Sequence, residues 1–207
     1  MRLHRELRLE DRVASKDLTP RTPYARRQGE VKSVEHWGQR KLLFSEIEFL
    51  TLYGDRALTV VYAGAAPGTH LNFLAEELFP QHKWILVDPA PFDCKPRDSI
   101  QLRNSYFTDE MASEFAGLDT LFICDIRSMD SGHDESMKEK RVSADMDWQM
   151  KWVQIMRPKA AMLKFRLPYP PPNGQTQYFD GDIFLPVWGG RTTTETRLIV
   201  SDPVRET

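Results

Sequence analysis

Apolar and polar residues fall into blocks along this chain, and the blocks predict a succession of strands and helices. "LTVVYAG" (58–64), "DTLFICDIRS" (119–128) and "AAMLKFRL" (160–167) are short continuous apolar runs, the mark of strands buried on both faces. "KWILVD" (83–88), "SIQLRN" (99–104) and "TRLIVSD" (196–202) are read as further strands. Between them the period changes from two to nearly four. "QRKLLFSEIEFLTLYG" (39–54) carries apolar residues at helical spacing, with Gly54 as a stop. "THLNFLAEELF" (69–79) reads as an amphipathic helix. "TDEMASEFAGL" (108–118) reads as a helix capped by Thr108, and "SADMDWQMKWVQIM" (143–156) as one capped by Ser143. The polar stretch "MDSGHDESMKEKR" (129–141) and the proline-rich "PYPPPNGQTQ" (168–177) read as loops. Strands alternating with helices predict an α/β fold, a mostly parallel sheet covered on both faces. In such a sheet ligands bind beyond the carboxyl ends of the strands, where the strand order switches.

Composition changes this picture little. With 207 residues, 41% of them apolar and 28% charged, the chain has the make-up of one globular domain. No apolar run reaches the roughly 20 residues of a membrane span, so no membrane partner is expected. Two cysteines do not make a disulfide framework, and Cys124 reads as a buried free thiol, which points to a reducing, intracellular setting. The His and Cys residues show no metal-ligand spacing, so no metal is expected. Charge is more informative. Residues 1–41 sum to +5 and the remainder to −7. Residues 1–36 read as a basic, irregular segment, broken by "TPRTP", and 37–207 as the domain itself. A basic segment of this kind can guide a polyanion to a site, or can simply be a solvated tail.

Candidate chemistry gathers at the strand ends. "VVYAGAAPGTH" (60–70) is a strand followed by a tight glycine turn and a helix, the build of a nucleotide-binding corner. It keeps Gly64 and Gly68 but has Pro67 where the dinucleotide fingerprint would need flexibility. That suits a ligand without a pyrophosphate, such as S-adenosylmethionine (SAM), over a dinucleotide. Asp88 ends the next strand, 24 residues after Gly64, where an acid can hold ribose hydroxyls. A tight turn and a strand-end acid facing water would look the same at this level.

Four further charges stand in unusual places. Lys164 lies inside an otherwise apolar strand, Asp125 ends a buried one, Glu195 starts the last, and Lys41 sits on the first helix. Taken singly each is a salt-bridged or exposed charge. Together, the ordered set Lys41, Asp125, Lys164, Glu195 resembles the tetrad of RNA ribose 2′-O-methyltransferases. The words "GQRKLLFSEIEFL", "VVYAGAAPGTH", "KWILVD", "CDIRS", "LKFRLPYP" and "ETRLIV" resemble the poxviral cap-specific mRNA 2′-O-methyltransferase family, whose members also serve as stimulatory subunits of a poly(A) polymerase.

The resemblance implies a Rossmann-like SAM-dependent methyltransferase fold in which the final strand runs antiparallel. It implies methyl transfer from SAM to the ribose 2′-hydroxyl of the first transcribed nucleotide of capped mRNA, with the tetrad catalytic. Gln39, Tyr62, Gly64, Pro67, Gly68 and Asp88 match positions around SAM, Asp125 also lies near the methyl donor, and Phe107 and Thr108 fall where the adenine is held. Tyr169, with Tyr24 as its partner, matches aromatics that stack on the 7-methylguanine of the cap. Pro171 stands where the family has an acid beside that aromatic, which implies weaker cap discrimination. Two other readings are a 2′-O-methyltransferase acting on non-cap RNA and a non-catalytic, RNA-binding processivity subunit of a poly(A) polymerase catalytic subunit.

Overall fold

The computed structural model of the protein describes residues 13–14, 37–128, 135–166, 180–186 and 195–201. The apolar runs form the middle of a single sheet. β2 (Thr59–Ala63), β5 (Thr120–Cys124) and β6 (Ala160–Arg166) are its central strands, with β3 (Lys83–Val87) and β4 (Ile100–Arg103) on one side. On the other side lie β8 (Glu195–Val200), β7 (Asp182–Phe184) and the two-residue β1 (Val13–Ala14). The strand order is β1-β7-β8-β6-β5-β2-β3-β4. Pairings from β4 through to β6 are parallel; β8 pairs antiparallel with β6 and with β7. The α/β expectation therefore holds, including the antiparallel strand that opens at Glu195.

Period-two alternation divides the sheet into two packed faces. Val60, Tyr62, Leu121, Ile123, Met162 and Ile199 face one side, under α1 (Trp37–Tyr53) and α2, which begins at Leu71–Phe73. Val61, Phe122, Cys124, Leu163, Phe165 and Leu198 face the other, under α3 (Asp109–Glu114) and α4 (Glu135–Met156). Cys94 and Cys124 are both buried free thiols.

The structure corrects several sequence expectations. The helix at 69–79 is a single α turn that widens into a π turn over Leu74–Leu78, closed by Phe79 N–H donating to the Leu74 carbonyl. Gly54, by contrast, stands where a stop was expected: α1 ends at Tyr53, Gly54 opens a 3-10 turn, and a Cβ there would come within 3.1 Å of His82 Nε2. Ser143 is not a cap, because α4 already begins at Glu135, inside the stretch read as a loop. Glu, Met, Lys and Arg are strong helix formers, and their propensity outweighs their polarity. Residues 129–134 lie outside the described residues, as does the loop expected at 168–177. β7 was not anticipated, and within the segment read as irregular Val13 and Ala14 pair with it. Thr108 does cap α3, its hydroxyl oxygen accepting from Met111 N–H at 3.3 Å.

Candidate active site

The chain runs outward from β2 to β4, then returns to β5 on the other side of β2, so the strand order switches between β2 and β5. Gly64 follows β2 and Asp125 follows β5, and the register pairs Ala63 with Cys124, which brings the two strand exits side by side. Asp125 N–H donates to the Ala63 carbonyl at 2.9 Å. A Cβ on Gly64 would lie 2.8 Å from Ile126 N and 2.9 Å from the Asp125 carbonyl carbon, and its φ is +79°. Only glycine satisfies both limits. Gly68 has the same two reasons: φ of +65°, and a Cβ that would meet Leu71 and the Ala65 carbonyl oxygen below 3 Å.

The first four residues of the turn have no backbone N–H to spare. Gly64 and Ala65 N–H groups both donate to the Val87 carbonyl, at 2.9 and 3.4 Å. Ala66 N–H donates to Asp88 Oδ2 at 3.2 Å, and Pro67 has no N–H. Four consecutive residues therefore offer no donor to a phosphate. Pyrophosphate cradles work by presenting unpaired backbone N–H groups, so this corner fits a cofactor without one. Asp88 follows β3 and also accepts from Ala90 N–H at 2.8 Å, which holds its carboxylate at the strand-end edge.

The four tetrad residues meet on the α1 face. Lys164, Glu195 and Arg197 share the parity of Met162 and Ile199, and Asp125 that of Ile123. Lys164 Nζ is 3.1 Å from Asp125 Oδ2, and Glu195 Oε2 is 3.0 Å from Lys41 Nζ. Arg197 joins the two pairs, 3.1 Å from Asp125 Oδ1 and 3.4 Å from Glu195 Oε1. The result is one chain of alternating charge, Lys164–Asp125–Arg197–Glu195–Lys41. Burial alone would raise the Glu195 carboxyl; Arg197, then Lys41 and Lys164, outweigh it and hold the group below the ordinary carboxylate value. Gln149 and Asp145 of α4 brace this edge: Gln149 donates to the Lys164 carbonyl at 3.2 Å, and Asp145 accepts from Ser128 N–H at 3.0 Å.

Other expected site residues fall as follows. Gln39 is half-buried on α1, its Oε1 3.0 Å from His70 Nδ1. Tyr62 is 1% exposed and lies beside the buried Glu46, so its side chain is not on the open edge. Burial first, then Glu46 and Asp125, push that hydroxyl well above its ordinary value. Phe107, after β4, packs its ring on Phe122 and Trp152 with centroids at 5.5 and 4.8 Å. Tyr24, Tyr169 and Pro171 lie outside the described residues.

Sequence reasoning missed Arg197, Glu46 and His70. Arg197 had a signal: it stands two residues from Glu195 in a strand that is otherwise apolar, hence on the same face. Glu46 interrupts the apolar stripe of α1, a weaker signal because most such acids turn to solvent.

Known proteins resemble this chain in sequence and in fold. The chain is 30% identical over 178 residues to the cap-specific mRNA (nucleoside-2′-O-)-methyltransferase of fowlpox virus (strain NVSL), covering 78% of this chain and 57% of that one. It is 31% identical over 156 residues to the protein of the same name from myxoma virus (strain Lausanne), covering 67% and 44%. The chain thus spans about half the length of the curated relatives it matches. Among solved structures it resembles bluetongue virus VP4, described as a multifunctional RNA-capping production line, with a TM-score of 0.56 over 76% of this chain and 26% of that one. At 14% identity that likeness is one of fold alone. Residues 13–206 match the family described as poly A polymerase regulatory subunit, and the chain belongs to that family.

Proposed function

We propose that this protein transfers a methyl group from SAM to the ribose 2′-hydroxyl of the first transcribed nucleotide of capped mRNA. The observation that carries the reading is the charge chain from Lys164 to Lys41, set beside a turn that withholds its N–H groups from phosphate. The names of the poxviral relatives support it. Gln39, Gly64, Gly68 and Asp88 would hold the cofactor, which supplies a methyl on a cationic sulfonium and leaves as a neutral thioether.

A ribose hydroxyl is a weak nucleophile and needs a base or strong orientation. In this reading Lys164 Nζ receives the 2′-hydroxyl proton as the methyl–oxygen bond forms. Asp125, 3.1 Å away, aims the amine. Lys41, anchored by Glu195, orients the hydroxyl from the α1 side. General base action contributes about 10²–10⁴-fold, and positioning supplies much of the rest. Tyr169 and Tyr24 would stack on the cap. The relatives named are viral, and the setting proposed is the cytoplasm of an infected cell. A capped RNA incubated with methyl-labelled SAM, followed by nuclease mapping, should place the label on the first transcribed ribose. Label on internal riboses would instead favour a non-cap 2′-O-methyltransferase.

The family's description favours a second reading, a processivity subunit bound to a poly(A) polymerase catalytic subunit. That reading needs no charge chain at the strand ends. Its test is stimulation of a polymerase by a Lys164→Ala variant.

A further inference from the structure

Beneath the glycine turn lies a second buried polar group that methyl transfer as described leaves unused. His70 ends the turn and precedes α2. Its Nε2 is 2.7 Å from Glu46 Oε2, an ion-pair contact, and its Nδ1 is 3.0 Å from Gln39 Oε1. The His70 side chain is 8% exposed and that of Glu46 0%. The buried Tyr62 lies beside Glu46, and Asp125 and Arg197 act on Tyr62 with opposite signs. The ring thus faces an oxygen at each nitrogen, Glu46 Oε2 at Nε2 and Gln39 Oε1 at Nδ1. An N–H at Nδ1 accounts for the oxygen of Gln39 opposite it.

The consequence falls on Gln39. With its oxygen engaged, its carboxamide has only N–H donors left to present. A cofactor with adenine beyond β4 and ribose at Asp88 on β3 crosses β2 toward β5, so its amino-acid end reaches the turn and α1, where Gln39 stands. That end carries an ammonium and a carboxylate, and donors select the carboxylate. We infer that His70 is a positioning residue that locks Gln39 with its N–H groups toward the carboxylate of the cofactor's amino acid. This rests on the reading of the corner as a SAM site.

The test compares SAM with decarboxylated SAM, which shares the adenosine, sulfonium and amine. Glutamine at position 70 can mimic Nε2 but not Nδ1, whereas asparagine can mimic Nδ1. In calorimetry His70→Gln should weaken SAM by about tenfold, the loss of one charge-assisted contact, and leave decarboxylated SAM within about twofold. His70→Asn should restore most of the preference for SAM. Equal losses on both ligands would mean a merely structural role and overturn the inference. Nitrogen NMR of the parent protein gives an answer that needs no variant: Nδ1 should carry a proton at neutral pH, and a bare Nδ1 would overturn the lock. A parent protein that binds neither ligand would sink the cofactor reading itself, a different outcome from binding both without preference.

Discussion

Lys164 and Arg197 stand opposite each other in the antiparallel β6–β8 ladder, two cations in one register pair. Like charges so placed repel. Asp125 reaches both from the end of β5, one oxygen to each at 3.1 Å. The arrangement makes each member depend on the others, and its parts can be tested one at a time.

Arg197 is the buried centre of the chain, with a side chain 5% exposed. Arg197→Ala leaves Asp125 and Glu195 each short of a cation, and removal of one partner from a buried pair costs about 3–5 kcal/mol. Urea denaturation should show a loss of that size. Arg197→Lys keeps the charge but cannot fork between two carboxylates, so it should fold better than the alanine variant and still lose most methyl transfer.

Lys164→Ala should abolish methyl transfer while SAM binding, followed by calorimetry, stays close to that of the parent. Lys164→Arg should also fail, since a guanidinium is no base at neutral pH. More than about a tenth of parent activity in either variant contradicts the general-base role, given the size of such effects.

Asp88→Ala removes the contacts to the N–H groups of Ala66 and Ala90 and, in the proposed reading, those to the cofactor ribose. SAM affinity should fall by about 1.5–3 kcal/mol, the range for hydrogen bonds to a charged group. Since the turn loses an anchor too, the melting temperature should fall along with it. Unchanged SAM affinity, or tight NAD binding by the parent, would remove the cofactor assignment.

Glu195 has its pKa depressed in the folded protein, so its pairing contributes stability above the unfolded carboxylate value of about 4.3. That contribution is lost as pH falls through the lower folded value. Acid denaturation of the parent should therefore steepen below about pH 4, and Glu195→Gln should show a shallower decline over the same range. Identical pH profiles would mean that Lys41 and Arg197 do not stabilise the ionised acid.

Cap preference is tested by comparing RNA ending in 7-methylguanosine with RNA ending in guanosine. A cationic base on an aromatic ring gains roughly 0.5–2 kcal/mol, so Tyr169→Ala should shrink the preference and spare SAM binding. The parent preference should be modest, because Pro171 supplies no anion beside the stacked base. Equal methylation of both RNAs by the parent would remove the cap assignment.

What the sequence made legible follows from locality. The core strands β2, β5 and β6 are apolar runs that declare themselves within a few residues, and Lys164 stood out because a cation inside such a run is costly unless paired. β7 has three residues, too few for a period to show, and it is held by pairing with β8 and with the distant β1, so no local pattern announces it. The α4 start was missed because polarity was weighed above helix propensity. Arg197 stayed hidden behind Glu195, since the four-residue pattern had no place for a fifth charge. Glu46 needed its histidine partner, 24 positions away, before its burial made sense.

The spent N–H groups of residues 64–66 bear on competition inside a cell. Adenosine di- and triphosphates share adenosine with SAM and are abundant wherever RNA is made. A corner with open donors would take them up and be occupied by the wrong adenosine compound. Here the donors of residues 64–66 face Val87 and Asp88, and the Asp88 carboxylate beside them repels a phosphate chain. The turn therefore discriminates by what it declines to offer, and adenosine analogues that carry phosphates should be poor inhibitors of this protein.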